Sequence, residues 1–169
     1  MQTTDATADD WPAGWARARA VAEAGDTFCW PRNVAEQWVR TEWLAPAPNR
    51  TLVLRDGSGV GSGVDSAVLG TSILHPNQGG PGSHVANASF AVDPGMRGRG
   101  AGRRLAEDTL DRARVEGYRA MQFNAVVQTN AGAVRLWTSL GFQVLATVPE
   151  AFRHPTEGLV GLHVMYLAL

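Results

Sequence analysis

The chain has 169 residues, a length that fits one domain, and its hydrophobic fraction of 44% is enough for an ordinary core. A charged fraction of 18% and a net charge of -1 exclude disorder by composition and argue against a surface that neutralises nucleic-acid phosphates. Cys29 is the only cysteine, which excludes an internal disulfide and a thiolate metal cluster. No apolar run approaches ~18 residues and the N-terminus lacks a signal pattern, so we expect a cytoplasmic location and no membrane span.

The first half of the chain predicts two helices followed by three strands. Residues 1–10 are polar and predict a mobile tail, whereas Trp11 to Ala24 carries apolar residues at helical spacing. A second amphipathic segment begins at Asn33. Residues 57–63 are glycine-rich, but no helical pattern follows them, which favours a hairpin loop over a phosphate-binding loop. The three predicted strands are Arg50 to Arg55, Ala67 to Leu74, and His84 to Val92.

The second half alternates helices and strands. Residues 149–158 contain two prolines and predict a polar connection. No repeat or long linker interrupts the pattern, so we predict that residues 11–169 form a single domain. The strand–loop–helix–strand order in the middle of the chain predicts a parallel pair inside a mixed sheet. The predicted elements are a helix from Ala101 to Glu116, a strand from Ala120 to Val127, a helix from Asn130 to Leu140, and strands from Phe142 to Val148 and from Leu159 to Leu167.

The segment from Val92 to Gly102, at the junction of a strand and a helix, has the composition of an anion site. Pro94 favours leaving the sheet, and the following glycines allow tight turning and close approach of the backbone to a ligand. The first amides of the next helix lack intrahelical partners and lie at the positive end of its dipole. A plain glycine-rich surface turn is the alternative, but interleaved guanidinium groups favour a phosphate site. These arginines are Arg97, Arg99, Arg103 and Arg104.

Two motifs carry a resemblance to a known family. Arg97-x-x-Gly100-x-Gly102 resembles the Arg/Gln-x-x-Gly-x-Gly/Ala signature of the GNAT superfamily of N-acetyltransferases. The later segment from Asn130 to Phe142 is similar to the Asn-x-x-Ala-x-x-Leu-Tyr-x-x-Leu-Gly-Phe pattern of the same family. The resemblance implies an α/β (α+β) GNAT fold: a mixed, mostly antiparallel sheet of about six to seven strands with a splayed parallel pair, flanked by about four helices.

The resemblance also implies acetyl-CoA as co-substrate. Loop amides would hold the coenzyme A pyrophosphate, the strand before the loop would pair with the pantetheine arm, and a backbone amide near Val92 would stabilise the oxyanion. Many relatives carry a tyrosine where this chain has Trp137, and an indole cannot protonate the departing thiolate. The residues that the resemblance assigns to acetyl-CoA are Phe90, Val92, Arg97, Gly98, Arg99, Gly100, Ala101, Gly102, Arg103, Asn130 and Trp137.

The asparagines point to the acceptor. Their pattern resembles that of fungal N-acetyltransferases acting on azetidine-2-carboxylate and related imino acids, which implies Asn87 and Asn124 in the acceptor pocket, and Asn124 and Asn130 with Val92 at the catalytic centre. An amide both donates and accepts, so it can hold a carboxylate and orient an amine. The alternative is that each asparagine satisfies a bulged backbone. Phe28 and Trp30, between the first two helices, are candidate pocket walls, and core packing is their alternative.

These residues predict direct transfer of an acetyl group to the amine of a small molecule, without a covalent enzyme intermediate. Two other functions stay open: acetylation of proteins or peptides, and non-catalytic sensing of acyl-CoA, which the missing tyrosine would allow. No His, Asp or Glu grouping has metal-ligand spacing, so we expect no metal. The apolar strand from Leu159 to Leu167 is compatible with a homodimer, and no nucleic-acid or membrane partner is expected.

Overall fold

The computed structural model describes residues 1–57 and 67–169. Most of the proposed glycine-rich hairpin loop, residues 58–63, therefore lies outside the described residues. The helices are α1 (Trp11–Ala24), α2 (Glu36–Trp43), α3 (Ala101–Val115) and α4 (Ala131–Ser139). The strands are β1 (Gln2–Asp5), β2 (Arg50–Arg55), β3 (Val68–Pro76), β4 (Val85–Val92), β5 (Ala120–Val127), β6 (Gln143–His154) and β7 (Gly158–Ala168).

The strands form one seven-stranded sheet in the order β1-β2-β3-β4-β5-β7-β6. Every described neighbour pair is antiparallel except β4 and β5, which run parallel and are joined by the crossover helix α3. The predicted fold class, a mostly antiparallel mixed sheet with one parallel pair and four flanking helices, is confirmed. No helix in the described part of the chain is long and apolar enough to cross a membrane.

The two faces of the sheet are covered by different helices. Helix α3 buries an apolar stripe at helical spacing, which includes Leu105 and Leu110, against β2, β3 and β4. Helices α1 and α2 pack on each other and enclose a second core around Trp11 and Trp43. Gly14 permits their close contact, because a Cβ there would lie 2.8 Å from the Trp43 ring.

The prediction of a mobile N-terminal tail is wrong. Gln2–Asp5 forms β1, which pairs along its whole length with β2. Asp10 then accepts hydrogen bonds from the amide (2.8 Å) and the hydroxyl (3.1 Å) of Thr7, and it forms an ion pair with Arg55 of β2. The segment escaped prediction because an edge strand needs only its backbone to pair, and its side chains stay largely polar.

The predicted polar connection at residues 149–158 is also wrong. Strand β6 continues through these residues to His154, and only a short turn separates it from β7. The pairing of β6 with β7 shifts register between Val148 and Phe152, where Glu150 has a φ of +53°. A bulge in an edge strand accommodates Pro149, since that residue needs no inter-strand donor. Helix α2 likewise begins at Glu36 instead of Asn33.

Candidate active site

Strands β4 and β5 separate soon after they start to pair. Their described register pairs Val85 with Ala120 and Ala86 with Met121, and no later pair follows. On the opposite edge of β4, the amide of Asp93 donates to the Leu69 carbonyl at 2.8 Å. In an antiparallel pair the hydrogen bonds alternate, so the odd-numbered residues of β4 bond to β3 through their backbone. The backbone N–H and C=O groups of the even-numbered residues of β4 point toward β5 instead. The backbone groups of Phe90 and Val92 therefore face the open splay.

The loop after β4 presents unpaired amides beside that splay. Gly98 and Gly100 have φ values of +74° and +81°, a left-handed conformation that favours glycine. The first α-helical bond runs from the Arg104 amide to the Gly100 carbonyl at 2.9 Å. Within residues 1–57 and 67–169 no acceptor is found for the amides of Gly98, Gly100, Ala101, Gly102 and Arg103. Such amides at a helix N-terminus are suited to bind phosphate groups.

The four arginines of this loop differ in their contacts. Arg103 bonds to Glu107 (3.2 Å) and to the Ser139 hydroxyl of α4, and Arg104 forms an ion pair with Asp108 at 2.8 Å. All four are exposed, and neither Arg97 nor Arg99 forms an ion pair with any described residue. Arg97 and Arg99 can therefore bind a phosphate without first breaking an ion pair with a carboxylate.

Helix α1 holds the start of this loop, a contact that the sequence did not predict. Arg17 forms an ion pair with Asp93 at 2.9 Å and donates to the carbonyl of Val68 at 3.0 Å. Asp93 in turn accepts from the amide of Gly95 at 2.8 Å. Seventy-six positions separate Arg17 from Asp93 in the numbering, and no local motif links them.

Helix α4 contributes two of the predicted residues. Asn130 caps the helix: its Oδ1 accepts from the Ala133 amide at 3.1 Å. Trp137, 8% exposed, packs among aromatic rings on the α3 side of the sheet, with centroid distances of 4.7 Å to Phe123 and 4.9 Å to Phe90. Phe90 and Phe123 lie on the two separating strands, so these rings form an apolar floor beneath the splay.

Asn87 lies where the splay begins. Its Oδ1 accepts from the amide of Ala88 at 2.8 Å. That amide points toward β5 but lies beyond the last residue pair of β4 and β5, so β5 offers it no acceptor. This contact matches the alternative interpretation of the residue, in which the asparagine satisfies an irregular backbone. Its Nδ2 group has no partner in the described chain and remains available to a ligand.

Asn124 belongs to a row of side-chain amides on the face opposite the aromatic floor. Its Oδ1 accepts from Gln122 at 2.9 Å, and its Nδ2 donates to Asn77 at 2.7 Å. The residue is exposed because the pairing of β5 with β7 shifts register between Phe123 and Val126. Asn124 and Asn87 form no hydrogen bond with each other among the described residues. Asn77, which follows β3, was not predicted and had no distinguishing pattern.

Phe28 and Trp30 line a cavity of about 350 Å³ near the C-terminal end of β5. Their rings are 4.3 Å apart, and Trp30 also contacts Trp38 of α2 at 5.5 Å. The opposite wall is formed by Phe152, Arg153, His154 and Pro155 of the β6–β7 hairpin. These residues were not predicted as site residues, because residues 149–158 were predicted to form a polar connection. The cavity also holds Cys29, and burial raises the pKa of its thiol above the usual range. Across the described ranges no three His, Cys, Asp or Glu side chains come together as metal ligands.

A splay with inward-facing backbone groups, a loop of unpaired amides at a helix N-terminus and a capping asparagine agree with the comparison to known proteins. The acetyltransferase (GNAT) family matches residues 9–142, and the chain therefore belongs to this family. Membership confirms the predicted fold, the N-acetyltransferase class and acetyl-CoA as the acetyl donor of that class.

Individual relatives agree with this assignment. A solved GCN5-related N-acetyltransferase from Kribbella flavida is 48% identical, with a TM-score of 0.91 over 99% of this chain and 97% of that one. N-acetyltransferase aca1 of Schizosaccharomyces pombe is 36% identical over 100 residues, which cover 59% of this chain and 48% of the relative. The chain spans less than half the length of the curated relatives it matches. A phosphinothricin acetyltransferase from Sinorhizobium meliloti in complex with acetyl-CoA shares the fold at 19% identity, with a TM-score of 0.83 and coverage of 99% and 88%.

Proposed function

We propose that this protein transfers an acetyl group from acetyl-CoA directly to the amine of a small imino acid, such as azetidine-2-carboxylate or a proline analogue. The observation that carries the proposal is the splay of β4 and β5, into which Phe90 and Val92 turn their backbone groups. A ligand with an extended amide-containing arm can pair with this free strand edge as a further strand would.

The loop fits the phosphates of the same ligand. A Cβ at Gly98 or Gly100 would meet no atom within 4 Å, so both positions leave open space above the amides. Arg97 and Arg99 flank that space, and the helix dipole of α3 adds a positive end. In this proposal the pyrophosphate lies on residues 97–103, the pantetheine arm lies along Phe90 and Val92, and Asn130 contacts the arm from α4.

Acetyl-CoA supplies the acetyl group as a thioester, and the acceptor amine replaces the thiolate with loss of one proton. The amide of Val92 faces the splay and donates to the carbonyl oxygen as negative charge develops there. The side-chain amides of Asn124, which is exposed, and of Asn130, which is partly buried, hold the water that removes the proton of the amine. The indole N–H of Trp137 is too weak an acid to protonate the thiolate, and the ring forms part of the apolar floor of the site.

Two features support a small acceptor. The cavity beside Phe28 and Trp30 has the size of a small-molecule pocket, about 350 Å³. Its walls are aromatic, and the amide row of Asn124 lies on the sheet face opposite the aromatic floor, which gives an imino acid an apolar wall and polar partners. We place the whole reaction in the cytoplasm, where acetyl-CoA is available.

The second candidate function is acyl-CoA sensing without turnover, which rests on Trp137. This residue is buried, and it stands where the family pattern quoted in the sequence analysis has a tyrosine. A good leaving group such as a thiolate needs little protonation, so we favour turnover over sensing.

The strand from Leu159 to Leu167, on which the sequence analysis based a homodimer, belongs to β7 and lies between β5 and β6, so it offers no free edge. We further propose a homodimer, through β6 instead. This strand lies at the edge of the sheet and exposes Val144 (43%), Leu145 (58%) and Val148 (49%), while Leu159 of β7 is 49% exposed. An exposed apolar edge strand invites pairing with a second chain. Light scattering of the wild type and of Leu145→Glu tests this: we expect a dimer that the substitution dissociates, and a monomeric wild type contradicts it.

An acceptor screen tests the main proposal. The protein is incubated with acetyl-CoA and, in separate reactions, with azetidine-2-carboxylate, proline analogues, primary amines, and peptides with free N-termini or lysines. Acetylated products are measured by mass spectrometry, which also avoids interference from Cys29. Acetylation of imino acids alone supports the proposal. Acetylation of peptides alone supports a protein acetyltransferase, and tight binding of acetyl-CoA without any product supports a sensor.

A further inference from the structure

The cavity between the α1–α2 segment and the β6–β7 hairpin has a positively charged lining. It is lined by Gly25, Phe28, Cys29, Trp30, Arg32, Phe152, Arg153, His154 and Pro155. Two of these described residues are arginines, and none is an aspartate or a glutamate. Three aromatic walls and two cations without a lining carboxylate favour a compact ligand with a negative group.

The two arginines are held differently. Arg32 is fixed: its Nε donates to the Glu23 carbonyl at 2.8 Å, and its side chain packs on Gly25, where a Cβ would lie 3.2 Å from Cδ. Gly25 also has a φ of +68°, so both space and conformation favour glycine there. The side chain of Arg153 is exposed and forms no hydrogen bond or ion pair with another described residue, whereas its backbone pairs with Leu159 of β7. One guanidinium is thus preorganised, and the other is free to close on a ligand.

Two contacts connect the walls of the cavity to the region of the splay. Phe152, beside Arg153, packs with Val127 at the C-terminal end of β5. Thr27, one residue before Phe28, accepts a hydrogen bond from Nδ2 of Asn130 at 3.4 Å. Two segments that carry lining residues are therefore tied to Asn130 and to the C-terminal end of β5, the strand that separates from β4.

We propose that Arg153, together with Arg32, binds the carboxylate of the acceptor while Phe28, Trp30 and Phe152 enclose its ring. This inference deepens the proposed function and rests on it, because it names the group by which that site selects its acceptor. A guanidinium binds a carboxylate by charge-assisted, bidentate hydrogen bonds, and aromatic walls strengthen them by excluding water. The site thus takes amino or imino acids with a free carboxylate and rejects their amides.

Cys29 gives a direct readout of occupancy, since it is the only cysteine and lines the cavity. Alkylation by iodoacetamide is followed by intact-protein mass spectrometry with saturating desulfo-coenzyme A, which has no thiol. Azetidine-2-carboxylate is compared with azetidine-2-carboxamide, which keeps the ring and loses the charge. We expect the carboxylate to slow alkylation and the carboxamide to have little effect. Arg153→Gln should require at least about tenfold more carboxylate for equal protection.

Two further variants complete the design. Arg153→Lys keeps the charge but not the bidentate geometry, so we expect partial protection. Arg114→Gln is the matched control, because Arg114 is paired with Asp111 at 2.8 Å on α3 and does not line the cavity. It should behave as the wild type. Equal protection by carboxylate and carboxamide, protection by neither, or an unchanged Arg153→Gln variant overturns the carboxylate site.

The two proposals fail separately. Alkylation measures occupancy without acetyl transfer, so selective protection combined with no acetylated product would sink the proposed function and leave the carboxylate site standing. In the converse case, imino acids are acetylated but Arg153→Gln leaves the ratio of kcat/KM for carboxylate over carboxamide unchanged. That result sinks the assignment of Arg153 and leaves the acetyltransferase intact.

Discussion

Nδ2 of Asn130 donates to the hydroxyl of Thr27 at 3.4 Å, and Oδ1 of the same side chain caps helix α4. One amide thus joins the start of α4 to the segment between α1 and α2. This contact brings the predicted coenzyme-binding helix next to the segment of Phe28 and Trp30. Substitution can separate these two roles of Asn130, because the helix cap needs only a hydrogen-bond acceptor and the bond to Thr27 needs a donor.

Asn130→Ala removes both contacts and Asn130→Asp removes only the donor. We expect Asn130→Ala to lower the free energy of unfolding by about 1 kcal/mol, a typical value for a lost N-cap, and Asn130→Asp to retain stability. Both should raise the KM for acetyl-CoA. Urea denaturation and steady-state kinetics measure the two effects, and an Asn130→Asp enzyme with wild-type KM would contradict a contact between this amide and the donor.

The phosphate loop is tested by substituting Gly100 with two residues of equal size. Asn and Asp both tolerate a positive φ, and the loop leaves room for a side chain at this position. Gly100→Asp adds a negative charge beside the free amides, so we expect it to weaken binding of coenzyme A at least about tenfold more than Gly100→Asn. Titration calorimetry measures both affinities, and equal losses would show that charge at this loop does not matter.

The features that the sequence predicted are those with local causes. The apolar spacing of α3, with Leu105 and Leu110 on one face, is a local pattern, and the predicted bounds of α3 and α4 hold to within one residue. Strand β5 matches its predicted bounds because its residues are apolar from Ala120 to Val127 except for Gln122 and Asn124. The Arg97 to Gly102 loop could be recognised because strand, glycines and helix start follow one another directly.

The features that were missed depend on distant partners. Arg17 reaches Asp93, and Asn77 reaches Asn124, through sheet neighbours that no local pattern identifies. Strand β6 was cut short because Pro149 signals a break, whereas an edge strand with a bulge tolerates it. Arg153 lies in that part of β6, so its place in the cavity wall was not predicted. A sequence pattern reports local propensity, and these contacts come from tertiary pairing.

Asn87 accepts a hydrogen bond from the backbone amide of Ala88, and this structural role can be tested separately from a role in the acceptor pocket. Asn87→Asp keeps the acceptor for the Ala88 amide at 2.8 Å, whereas Asn87→Val leaves that amide unsatisfied. We expect Asn87→Val to lower stability by about 1–3 kcal/mol and Asn87→Asp to change it much less. Thermal unfolding checks both. If the two variants are equally stable, the contact with Ala88 has no structural weight.

Trp137 is expected to act by packing. Trp137→Ala should cost about 3–5 kcal/mol, because the ring fills the space between Phe90 and Phe123. Trp137→Phe keeps an apolar ring, so we expect kcat to stay within a factor of about three and the pH profile of kcat/KM to keep its shape. A change in that shape for Trp137→Phe would assign proton transfer to this residue and overturn the packing role.

The ion pair of Asp10 with Arg55 makes the anchoring of the N-terminal strand depend on pH. Burial alone would raise the pKa of Asp10, but the hydrogen bond from the Thr7 amide and the contacts with Arg55 outweigh it and hold the pKa below its usual value. The folded state thus binds fewer protons than the unfolded state near pH 4. The stability that Asp10 contributes is present above the ordinary aspartate pKa of about 3.9 and is lost as pH falls through the lower folded value.

We therefore expect Asp10→Asn to be less stable than the wild type by about 2 kcal/mol at pH 7, with the difference shrinking as the pH falls below about 4. Urea denaturation at several pH values measures it. Asp9→Asn is the matched control, since Asp9 is its exposed neighbour. A difference between wild type and Asp10→Asn that stays constant from neutral to acidic pH would show that the carboxylate charge does not anchor β1, because a merely steric role would not titrate.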